Sequence, residues 1–328
     1  MKAILVTSPG ELEVTELPDP RPAADEVVLQ VASVGLCGTD LHIVDGQYIA
    51  EYPIVPGHEF SGRIAGLGSS VTELKVGQGV TADPNIYCAR CDNCRRGFEN
   101  LCRNAQAVGV TRHGAAAEFV TVPAANCVVI PDDQLNDASL VEPLSCAVHG
   151  LDVVGVRLAA RVLIYGAGPM GLMLTALSSQ TSAAEVAVID LNPERLALAA
   201  RVGATDTGLS ARELARDAEY DVVVDCTGVP AAIQDGIERV APGGTFLQFG
   251  VTPADATVAV RPERIFMQEI TITGARAVKR SFERAAALYL RGAIDPSDFI
   301  THRFRLDRFE DAFETFRAGQ GVKIQLTP

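Results

Sequence analysis

A short strand followed at once by a glycine-rich turn is the feature that most limits how this chain can fold. Arg161–Tyr165 is a compact apolar strand, and Gly166–Gly171 follows it with the pattern Gly-x-Gly-x-x-Gly and opens an apolar helix. The next strand, Glu185–Ile189, is followed by another helix, and the alternation continues. Alternating strands and helices are typical of βαβ units with a parallel sheet. The sequence therefore predicts a doubly wound α/β domain over residues 148–275.

The glycine turn predicts a dinucleotide site. Gly166 permits a tight turn, Gly168 lets a pyrophosphate approach the backbone, and Gly171 allows close packing of the helix. The N-terminus of the helix that the turn opens offers N–H donors and a partial positive charge to phosphates. Pro169 and Met170, within the turn, are further candidate cofactor contacts. A glycine turn in a sheet that binds no nucleotide is the alternative.

An acidic residue after the second strand indicates which dinucleotide binds. Asp190 lies nineteen residues after Gly171, where a carboxylate accepts hydrogen bonds from the hydroxyls of an adenosine ribose. A 2′-phosphate at that place would meet like charge. NAD is therefore favoured over NADP.

Four of the eight cysteines form a metal-binding pattern within residues 84–104. Cys88, Cys91, Cys94 and Cys102 have the spacing C-x2-C-x2-C-x7-C, and four thiolates so close in sequence can surround one tetrahedral Zn²⁺. Such a site has no open position, so we expect a structural zinc. An iron–sulfur site is the alternative, although the bacterial ferredoxin spacing has a shorter last gap followed by proline.

A second candidate metal site begins in the stretch Gly35–His42. It places the thiol of Cys37, the hydroxyl of Thr39, the carboxylate of Asp40 and the imidazole of His42 close together in sequence. A buried thiol beside a turn is commonly part of a core. The prediction of a site here depends on partners from elsewhere in the chain.

Three such partners stand out. His58 and Glu59 follow a Pro-Gly turn, and Glu142 is an acid in an otherwise apolar stretch. Cysteine, histidine and glutamate with a fourth position for water or substrate make an open, catalytic zinc site. His58 could instead be a core histidine, and Glu142 a carboxylate at the start of a helix.

The segments on either side of the α/β domain have shorter strands. Residues 1–34 are rich in Val, Ile and Leu, and residues 53–80 continue in this way with frequent glycines. This pattern predicts a short-stranded β-barrel. Beyond the α/β domain, two amphipathic helices over Ser281–Arg291 and Arg308–Arg317 precede a final strand at Val322–Leu326.

Length and charge exclude several classes of protein. At 328 residues the chain is long for one core, so two domains are expected. A net charge of −13 argues against a sequence-independent nucleic-acid partner and an anionic membrane surface. Apolar stretches are interrupted before about 18 residues, so no membrane span is expected. Eight cysteines without a signal peptide indicate a reducing compartment, and we expect a cytoplasmic protein.

With these motifs in view, the chain resembles the zinc-dependent medium-chain dehydrogenases, and within them the sorbitol (polyol) dehydrogenase group, over essentially its whole length. The motifs that carry the resemblance are Gly35–His42, Pro56–Glu59, the four-cysteine lobe, Glu142–Ser145, Gly166–Gly171, Ile300–Phe304, Ala312–Phe316 and Gly321–Ile324. The resemblance implies a GroES-like β-barrel catalytic domain, formed by residues 1–147 and 276–328, around an inserted Rossmann domain at residues 148–275.

The resemblance also implies roles for the residues of the candidate metal site. Cys37, His58 and Glu59 match the ligands of the catalytic zinc, and Glu142 matches the residue that ligates the metal directly or holds its water. Asp40 resembles the carboxylate that orients the histidine ligand. A second zinc belongs to the four-cysteine lobe, so two zinc ions are expected per chain.

The implied activity is the oxidation of an alcohol or polyol to a ketone or aldehyde, with hydride transfer to NAD⁺. Thr39 accepts the departing proton and passes it toward His42 and solvent; Glu142 or a zinc-bound water are the alternatives. Arg195 matches a position beside the adenosine ribose. A further set lies where the family lines the nicotinamide side: Thr227, Phe249 and Gly250.

One departure from the family bears on the substrate. Where sorbitol dehydrogenases carry an adjacent Arg-Tyr pair, this chain has Ala277-Val278, so Arg276, Lys279 or Arg280 could contact a shorter or anionic substrate instead. A threonine-type amino-alcohol dehydrogenase and a non-catalytic or zinc-free relative such as a quinone reductase are the other readings. The family also implies a homo-oligomer, a tetramer or a dimer.

Overall fold

A computed structural model describes residues 1–215 and 219–328. The strands of these residues are β1 Lys2–Ser8, β2 Glu11–Glu16, β3 Glu26–Gly35, β4 Glu59–Leu67, β5 Gly79–Ala82, β6 Asn85–Ile86, β7 Gln106–Ala107, β8 Phe119–Pro123, β9 Cys127–Val129, β10 Arg161–Tyr165, β11 Glu185–Ile189, β12 Asp206–Gly208, β13 Tyr220–Asp225, β14 Val240–Gln248, β15 Thr271–Gly274, β16 Ile300–Arg305 and β17 Lys323–Thr327.

The α-helices of the same ranges are α1 Gly38–Val44, α2 Asp92–Arg95, α3 Val141–Val154, α4 Pro169–Ser179, α5 Pro193–Arg201, α6 Pro230–Glu238, α7 Pro262–Gln268, α8 Phe282–Leu290, α9 Pro296–Phe299 and α10 Phe309–Arg317. Short 3₁₀ helices lie between several of them, and the one at Leu135–Leu140 runs directly into α3. No helix of the described residues is long and apolar enough to cross a bilayer.

The chain divides into two compact units. The first contains Met1–Pro143, Val278–Arg291 and Phe299–Pro328, and the second contains Leu144–Ala277 and Gly292–Asp298. The sequence predicted domain boundaries after residues 147 and 275, a few residues from the boundaries between these two units. It also assigned residues 292–298 to the catalytic domain, whereas they belong to the second unit.

The first unit is built on a sheet in the order β16-β17-β3-β4-β5-β9, with β8 also paired to β3. Both ends of the chain contribute to it, since β17 comes from the last residues. Its core is made of aliphatic and aromatic side chains from β1, β3, β4 and α10, among them Ile4, Leu29, Phe60 and Phe313. Alternation in these strands directs their apolar side chains to one packed face.

The sheet register brings two distant segments to the same place. Glu59, the first residue of β4, pairs with Gly35 at the end of β3. Gln325 of β17 pairs antiparallel with the same Gly35, and Lys323 is the first residue of that strand. The two residues that begin β4 and β17 therefore meet beside the end of β3.

The second unit is a six-stranded parallel sheet in the order β12-β11-β10-β13-β14-β15. The chain winds outward from β10 in one direction and then returns to continue from β13 in the other. In such sheets ligands bind outside the carboxyl ends of the strands, at the point where the order reverses. Here the reversal lies between β10, which ends at Tyr165, and β13, which ends at Asp225.

Candidate active site

The carboxylate of Asp40 joins two of the predicted motifs. Cys37 is the N-cap of α1, and its backbone N–H donates to Asp40 Oδ2 at 2.8 Å. The N–H of Gly57 donates to Asp40 Oδ1 at 3.1 Å. Asp40 is only 1% exposed, and its Oδ1 lies 3.6 Å from His58 Nδ1. This carboxylate therefore links the segment that contains Cys37 to the segment that contains His58.

The structure brings Cys37, His58 and Glu59 together as a possible metal centre. One ligand atom from each, a thiol sulfur, an imidazole nitrogen and a carboxylate oxygen, lies within 4.8 Å of the other two. His58 Nδ1 and Glu59 Oε2 are buried without a hydrogen bond, which is costly unless another group satisfies them. Thiolate, imidazole and carboxylate are ligand types of open zinc sites. These residues therefore fit a zinc ion.

The charges around His58 favour its protonated form in the absence of a metal. Burial alone would lower the pKa of the imidazole, but the Asp40 carboxylate and the Cys37 thiol outweigh it, and the pKa is raised well above its usual value. A metal that binds here has to displace that proton.

Glu142 is buried in the first turn of α3, outside the three-residue cluster. Burial raises its pKa to about 7; the charges of His58 and Lys323 oppose that shift and the charge of Glu59 adds to it. Glu142 thus lies within electrostatic range of the cluster. Its predicted role as a direct ligand or as the holder of a water stays a prediction.

Lys323 is a site residue that the sequence reasoning missed. Its ammonium donates to Glu59 Oε1 at 2.7 Å and to the carbonyl of Leu36 at 3.2 Å, and the residue is 3% exposed. Burial alone would lower its pKa, but the negative charges of Glu59, Cys37 and Glu142 raise it instead. The available signal was a lone lysine in an apolar final strand, a position that requires a buried partner for its charge.

Thr39 and His42 lie one helical turn apart on α1, and both are half-buried. The Cys37 thiol lies 3.8 Å from Thr39 Oγ1. The His42 ring instead contacts the side chain of Gln47, with Nδ1 and Oε1 3.0 Å apart. The structure places Thr39 beside the metal cluster, and the proton path from Thr39 to His42 stays a prediction.

The four cysteines of the lobe form a second cluster. One sulfur each from Cys88, Cys91, Cys94 and Cys102 lies within 4.8 Å of the others, and the shortest separations are 3.4 to 3.9 Å. A tetrahedron with zinc–sulfur bonds of about 2.3 Å has edges of about 3.8 Å. All four thiols are free. The geometry fits a closed zinc site.

Residues 278–280 contact the lobe that carries the four cysteines. The Tyr87 hydroxyl donates to the carbonyl of Val278 at 2.8 Å. The Lys279 ammonium lies 4.5 Å from the centre of the Phe98 ring, and the Arg280 guanidinium pairs with Glu99. Lys279 and Arg280, which the sequence offered as substrate contacts, are therefore bound to the lobe.

In the second unit, the glycine turn has the geometry of a phosphate cradle. Gly166 has a φ of +95°, which favours glycine, and a Cβ on Gly171 would lie 1.7 Å from the Gly166 carbonyl oxygen. A Cβ on Gly168 would meet nothing within 4 Å, so the space in front of it is open. Pro169 and Met170 form the first turn of α4. The turn fits a dinucleotide pyrophosphate.

Asp190 follows β11 and is joined to the glycine turn. Its Oδ2 accepts from the N–H of Ala167 at 2.6 Å, and its Oδ1 accepts from the N–H of Asn192 at 2.8 Å. Asn192 caps α5 by accepting from the N–H groups of Glu194 and Arg195. Asp190 and Arg195 therefore lie in one short segment beside the cradle, where the sequence predicted contacts with the adenosine ribose.

Thr227, Phe249 and Gly250 lie just beyond the carboxyl ends of β13 and β14. The N–H groups of Phe249 and Gly250 donate to the backbone carbonyl of Asp225 at 3.0 and 2.7 Å. A Cβ on Gly166 would lie 3.0 Å from the Thr227 methyl group, so this loop contacts the glycine turn. The predicted nicotinamide-side residues thus border the same crevice as the cradle.

Comparison with known proteins identifies the family. Residues 23–132 match the model of the alcohol dehydrogenase GroES-like domain, and residues 169–291 match the model of zinc-binding dehydrogenases. The chain is 36% identical to D-arabinitol dehydrogenase 1 of Uromyces fabae, covering 100% of this chain and 97% of that protein. It is 35% identical to L-threonine 3-dehydrogenase of Alteromonas mediterranea, covering 95% of this chain and 94% of that protein.

The solved structures include a protein from Sinorhizobium meliloti 1021 that is described as a zinc-binding dehydrogenase bound to NADP. It superposes on this chain with a TM-score of 0.96 at 33% identity, and the match covers 100% of this chain and 99% of that chain. The chain is a zinc-dependent medium-chain dehydrogenase. The predicted family, the GroES-like and Rossmann fold class and the zinc- and nicotinamide-dependent oxidoreductase class are confirmed for this dehydrogenase. The roles of individual residues, the number of zinc ions and the domain bounds of the sequence stay predictions.

Proposed function

We propose that this dehydrogenase oxidises a secondary hydroxyl of a polyol or small alcohol to the ketone, with NAD⁺ as the hydride acceptor. The observation that carries the proposal is the Cys37–His58–Glu59 cluster, whose ligand atoms converge within 4.8 Å and include buried polar atoms without a partner. The same chain carries a glycine cradle that is open in front of Gly168. A metal centre and a dinucleotide site in one chain are the requirements of this reaction class.

The residues of the candidate metal site have separate roles in this reaction. Cys37, His58 and Glu59 would hold the zinc, which as a Lewis acid lowers the pKa of the substrate hydroxyl. The hydroxyl of Thr39, which lies 3.8 Å from the Cys37 sulfur, relays the substrate proton: it accepts that proton as it gives its own to the path toward His42. His42, half-buried on the same helix, carries that proton to solvent. Asp40 keeps the ligands in place through its bonds to Cys37 and Gly57.

The cradle residues orient the cofactor. The N–H groups at the start of α4 would bind the phosphates, and Asp190, which here accepts from the N–H groups of Ala167 and Asn192, would accept from the ribose hydroxyls. The nicotinamide supplies the hydride acceptor when the cofactor is bound. The negative charge of Asp190 favours NAD over NADP, although the Sinorhizobium relative was solved with NADP.

A threonine-type amino-alcohol dehydrogenase is the second candidate. It is favoured by the 35% identity to the Alteromonas threonine dehydrogenase, which nearly equals the identity to the arabinitol enzyme. A zinc-free quinone reductase has no need of the metal-type clusters at Cys37 and Cys88, so these clusters argue against it. The two dehydrogenase readings share the metal site and differ in whether the substrate carries an ammonium and a carboxylate.

The test is a substrate panel with NAD⁺, containing D-arabinitol and other polyols, short diols and L-threonine, read by the absorbance of the NADH that forms. We expect turnover with a polyol or diol, little turnover with threonine, and loss of turnover in the Cys37→Ser variant. Preference for threonine would favour the second candidate. No reduction of NAD⁺ with any alcohol would overturn the proposal.

We also propose that the chain forms a homo-oligomer through the edge of its parallel sheet. Within residues 1–215 and 219–328, strand β15 pairs on one side only, with β14, and its Ile272 is 42% exposed. Phe266 and Met267 of the preceding helix are 81% and 66% exposed. An open edge beside exposed large apolar side chains is typical of a strand-pairing interface. Ile272→Lys should lower the molar mass measured by light scattering, and an unchanged mass would contradict this interface.

A cytoplasmic location is part of the same proposal. All eight cysteines are free thiols, and four of them form the closed cluster of the lobe. Thiols held reduced for metal binding are typical of a reducing compartment.

A further inference from the structure

The carboxylate of Asp225 is the centre of a hydrogen-bond network that the proposed function does not use. Asp225 is the last residue of β13 and is 0% exposed. Its Oδ1 accepts from the N–H and the hydroxyl of Thr227, at 3.1 and 2.5 Å. Its Oδ2 accepts from the N–H of Gly228 at 2.9 Å and from the side-chain amide of Gln248 at 2.8 Å. No cation pairs with it in residues 1–215 and 219–328.

Three of these four donors lie in the loop that directly follows Asp225, and the fourth comes from the end of the neighbouring strand β14. Thr227 and Gly228 belong to the loop after β13, and Gln248 ends β14, where its amide also donates to the carbonyl of Gly250 at 2.7 Å. The side chain of Asp225 therefore joins the loop after β13 to the end of β14. A buried carboxylate that accepts several N–H and O–H bonds fixes its donors strongly, because charge-assisted hydrogen bonds are about twice as strong as neutral ones.

The two loops touch so closely that side chains are excluded where they meet. A Cβ on Gly250 would lie 2.4 Å from the backbone nitrogen of Gly228 and 2.9 Å from Asp225 Oδ2. A Cβ on Gly228 would lie 2.0 Å from the carbonyl oxygen of Val251, and Gly228 has a φ of +67°. The loops after β13 and β14 therefore form one backbone surface, and Asp225 lies beneath it.

The position of this surface in the sheet indicates what it faces. A doubly wound sheet binds one mononucleotide over each half, in the crevice where the strand order reverses. The half formed by β10 and β11 carries the glycine turn and Asp190, which suit the adenosine side. The half formed by β13 and β14 is left for the nicotinamide mononucleotide, and its carboxyl ends carry the loops that Asp225 joins.

We propose that Asp225 is a positioning residue for the nicotinamide half of the cofactor: it fixes the loops after β13 and β14 as a single surface against which that half binds. The inference rests on the proposed use of NAD, and it assigns Asp225 no contact with substrate. Replacement by asparagine preserves the size of the side chain, but it places an N–H₂ donor among groups that are themselves donors. The loops should then separate and lose their shape for the nicotinamide, while the adenosine side stays intact.

The test compares two ligands. NADH carries both halves of the cofactor, and ADP-ribose lacks the nicotinamide. In Asp225→Asn the Kd of NADH, measured by fluorescence titration, should rise about tenfold or more. The Kd of ADP-ribose, measured by calorimetry, should stay within about twofold of the wild-type value. A general structural role of Asp225 would weaken both ligands together.

Asp221→Asn is the matched control. It makes the same substitution on the same strand at the opposite end, where Asp221 accepts from the N–H of Arg161 at 2.8 Å, and it should leave both Kd values unchanged. If Asp225→Asn does not fold, Gln248→Met removes the side-chain bond from β14 to the Asp225 carboxylate while leaving that carboxylate in place, and the same selective loss of NADH binding is expected.

Three results would overturn the inference. These are unchanged NADH binding in Asp225→Asn, equal weakening of NADH and ADP-ribose in that variant, and unchanged NADH binding in Gln248→Met where Asp225→Asn is unfolded. A wild-type chain that binds no NADH at all would overturn the proposed function as well. The two failures are thus distinguished by the wild-type titration.

Discussion

The ammonium of Lys323 lies 2.7 Å from the Oε1 atom of Glu59, and the two side chains are only 4% and 2% exposed. They come from the first residues of two strands, β17 and β4, that meet beside Gly35. The pair lies next to Cys37 and His58, the other members of the candidate metal cluster. A buried ammonium thus offsets part of the negative charge that a thiolate and carboxylates bring to this site.

Loss of one partner of this pair should destabilise the metal-free protein strongly. Lys323→Met leaves Glu59 as an uncompensated buried carboxylate, and removing one partner of a buried ion pair costs about 3–5 kcal/mol. The free energy of unfolding in urea, with a chelator present, measures the effect. The exposed Lys75→Met is the control and should be nearly neutral.

The same pair predicts non-additivity. In the double variant Lys323→Met with Glu59→Gln, both charges are gone, so the total cost should be at least about 1 kcal/mol less than the sum of the two single costs. Costs that simply add would show that the two side chains do not depend on each other.

The two metal clusters should lose zinc independently. Cys37→Ser removes a thiolate from the first cluster and Cys94→Ser from the second, so each variant should retain the zinc of the other site. Elemental analysis of the purified proteins is expected to give two zinc ions for the wild type and one for each variant. Cys127→Ala, outside both clusters, should keep both ions. Full zinc content in Cys37→Ser would remove the basis for the catalytic site.

Asp190 should determine the choice of cofactor. Its carboxylate would lie beside the 2′-position of the adenosine ribose, so Asp190→Ser removes the repulsion of a 2′-phosphate and a bond to the hydroxyls of NAD. The ratio of kcat/KM for NAD to that for NADP should fall by about tenfold or more. Glu194→Gln removes an exposed carboxylate from the same segment and serves as the control. The assignment fails if both variants keep the wild-type ratio.

The ion pair of Glu26 and Arg112 predicts a pH-dependent contribution to stability. Burial tends to raise the pKa of Glu26, but the bonds from the Arg112 guanidinium, at 2.5 Å, and from the N–H of Ala23 outweigh it and lower the pKa below 4.5. Because the folded pKa is the lower one, the stabilisation is present above pH 4.5 and is lost as the pH falls through the folded pKa.

Glu26→Gln should therefore cost about 1 kcal/mol at pH 7, and the difference from wild type should vanish in acid. Chemical unfolding at pH 7 and at successively lower pH values measures both. Glu13→Gln, an exposed residue of β2, should show neither effect. A cost for Glu26→Gln that is the same at all pH values would show that the lost stability does not come from the charge.

Local chemistry was the part of this molecule that could be predicted from its sequence. The turn at Gly166–Gly171 needs only the backbone freedom of glycine and the strand and helix that flank it, and the cysteines of the lobe are close enough in the chain to meet without help from the rest of the fold. For these motifs, residue type and spacing already imply the geometry that the structure has.

The roles of two buried charged residues could not be predicted from the sequence, because strand register determines some of their partners. Lys323 reaches Glu59 only because β17 and β4 both border β3, a long-range pairing that no local pattern encodes. Asp225 is the last residue of its strand, and three of its four donors follow it directly, but the fourth, the Gln248 amide, comes from a strand that neighbours it only in the folded sheet. In both cases the sequence shows a charged residue in a strand but does not show which distant residue it contacts.

Hydride transfer from the substrate carbon to the nicotinamide is tested most directly by following the hydrogen that leaves the substrate. D-arabinitol, or the best polyol of the substrate panel, is deuterated at its carbinol carbons and oxidised with NAD⁺, and the reduced nucleotide is examined by mass spectrometry. We expect the wild-type enzyme to form reduced nucleotide that carries the deuterium, and Cys37→Ser to form none. Reduced nucleotide without deuterium, or no reduction with any alcohol, would contradict it.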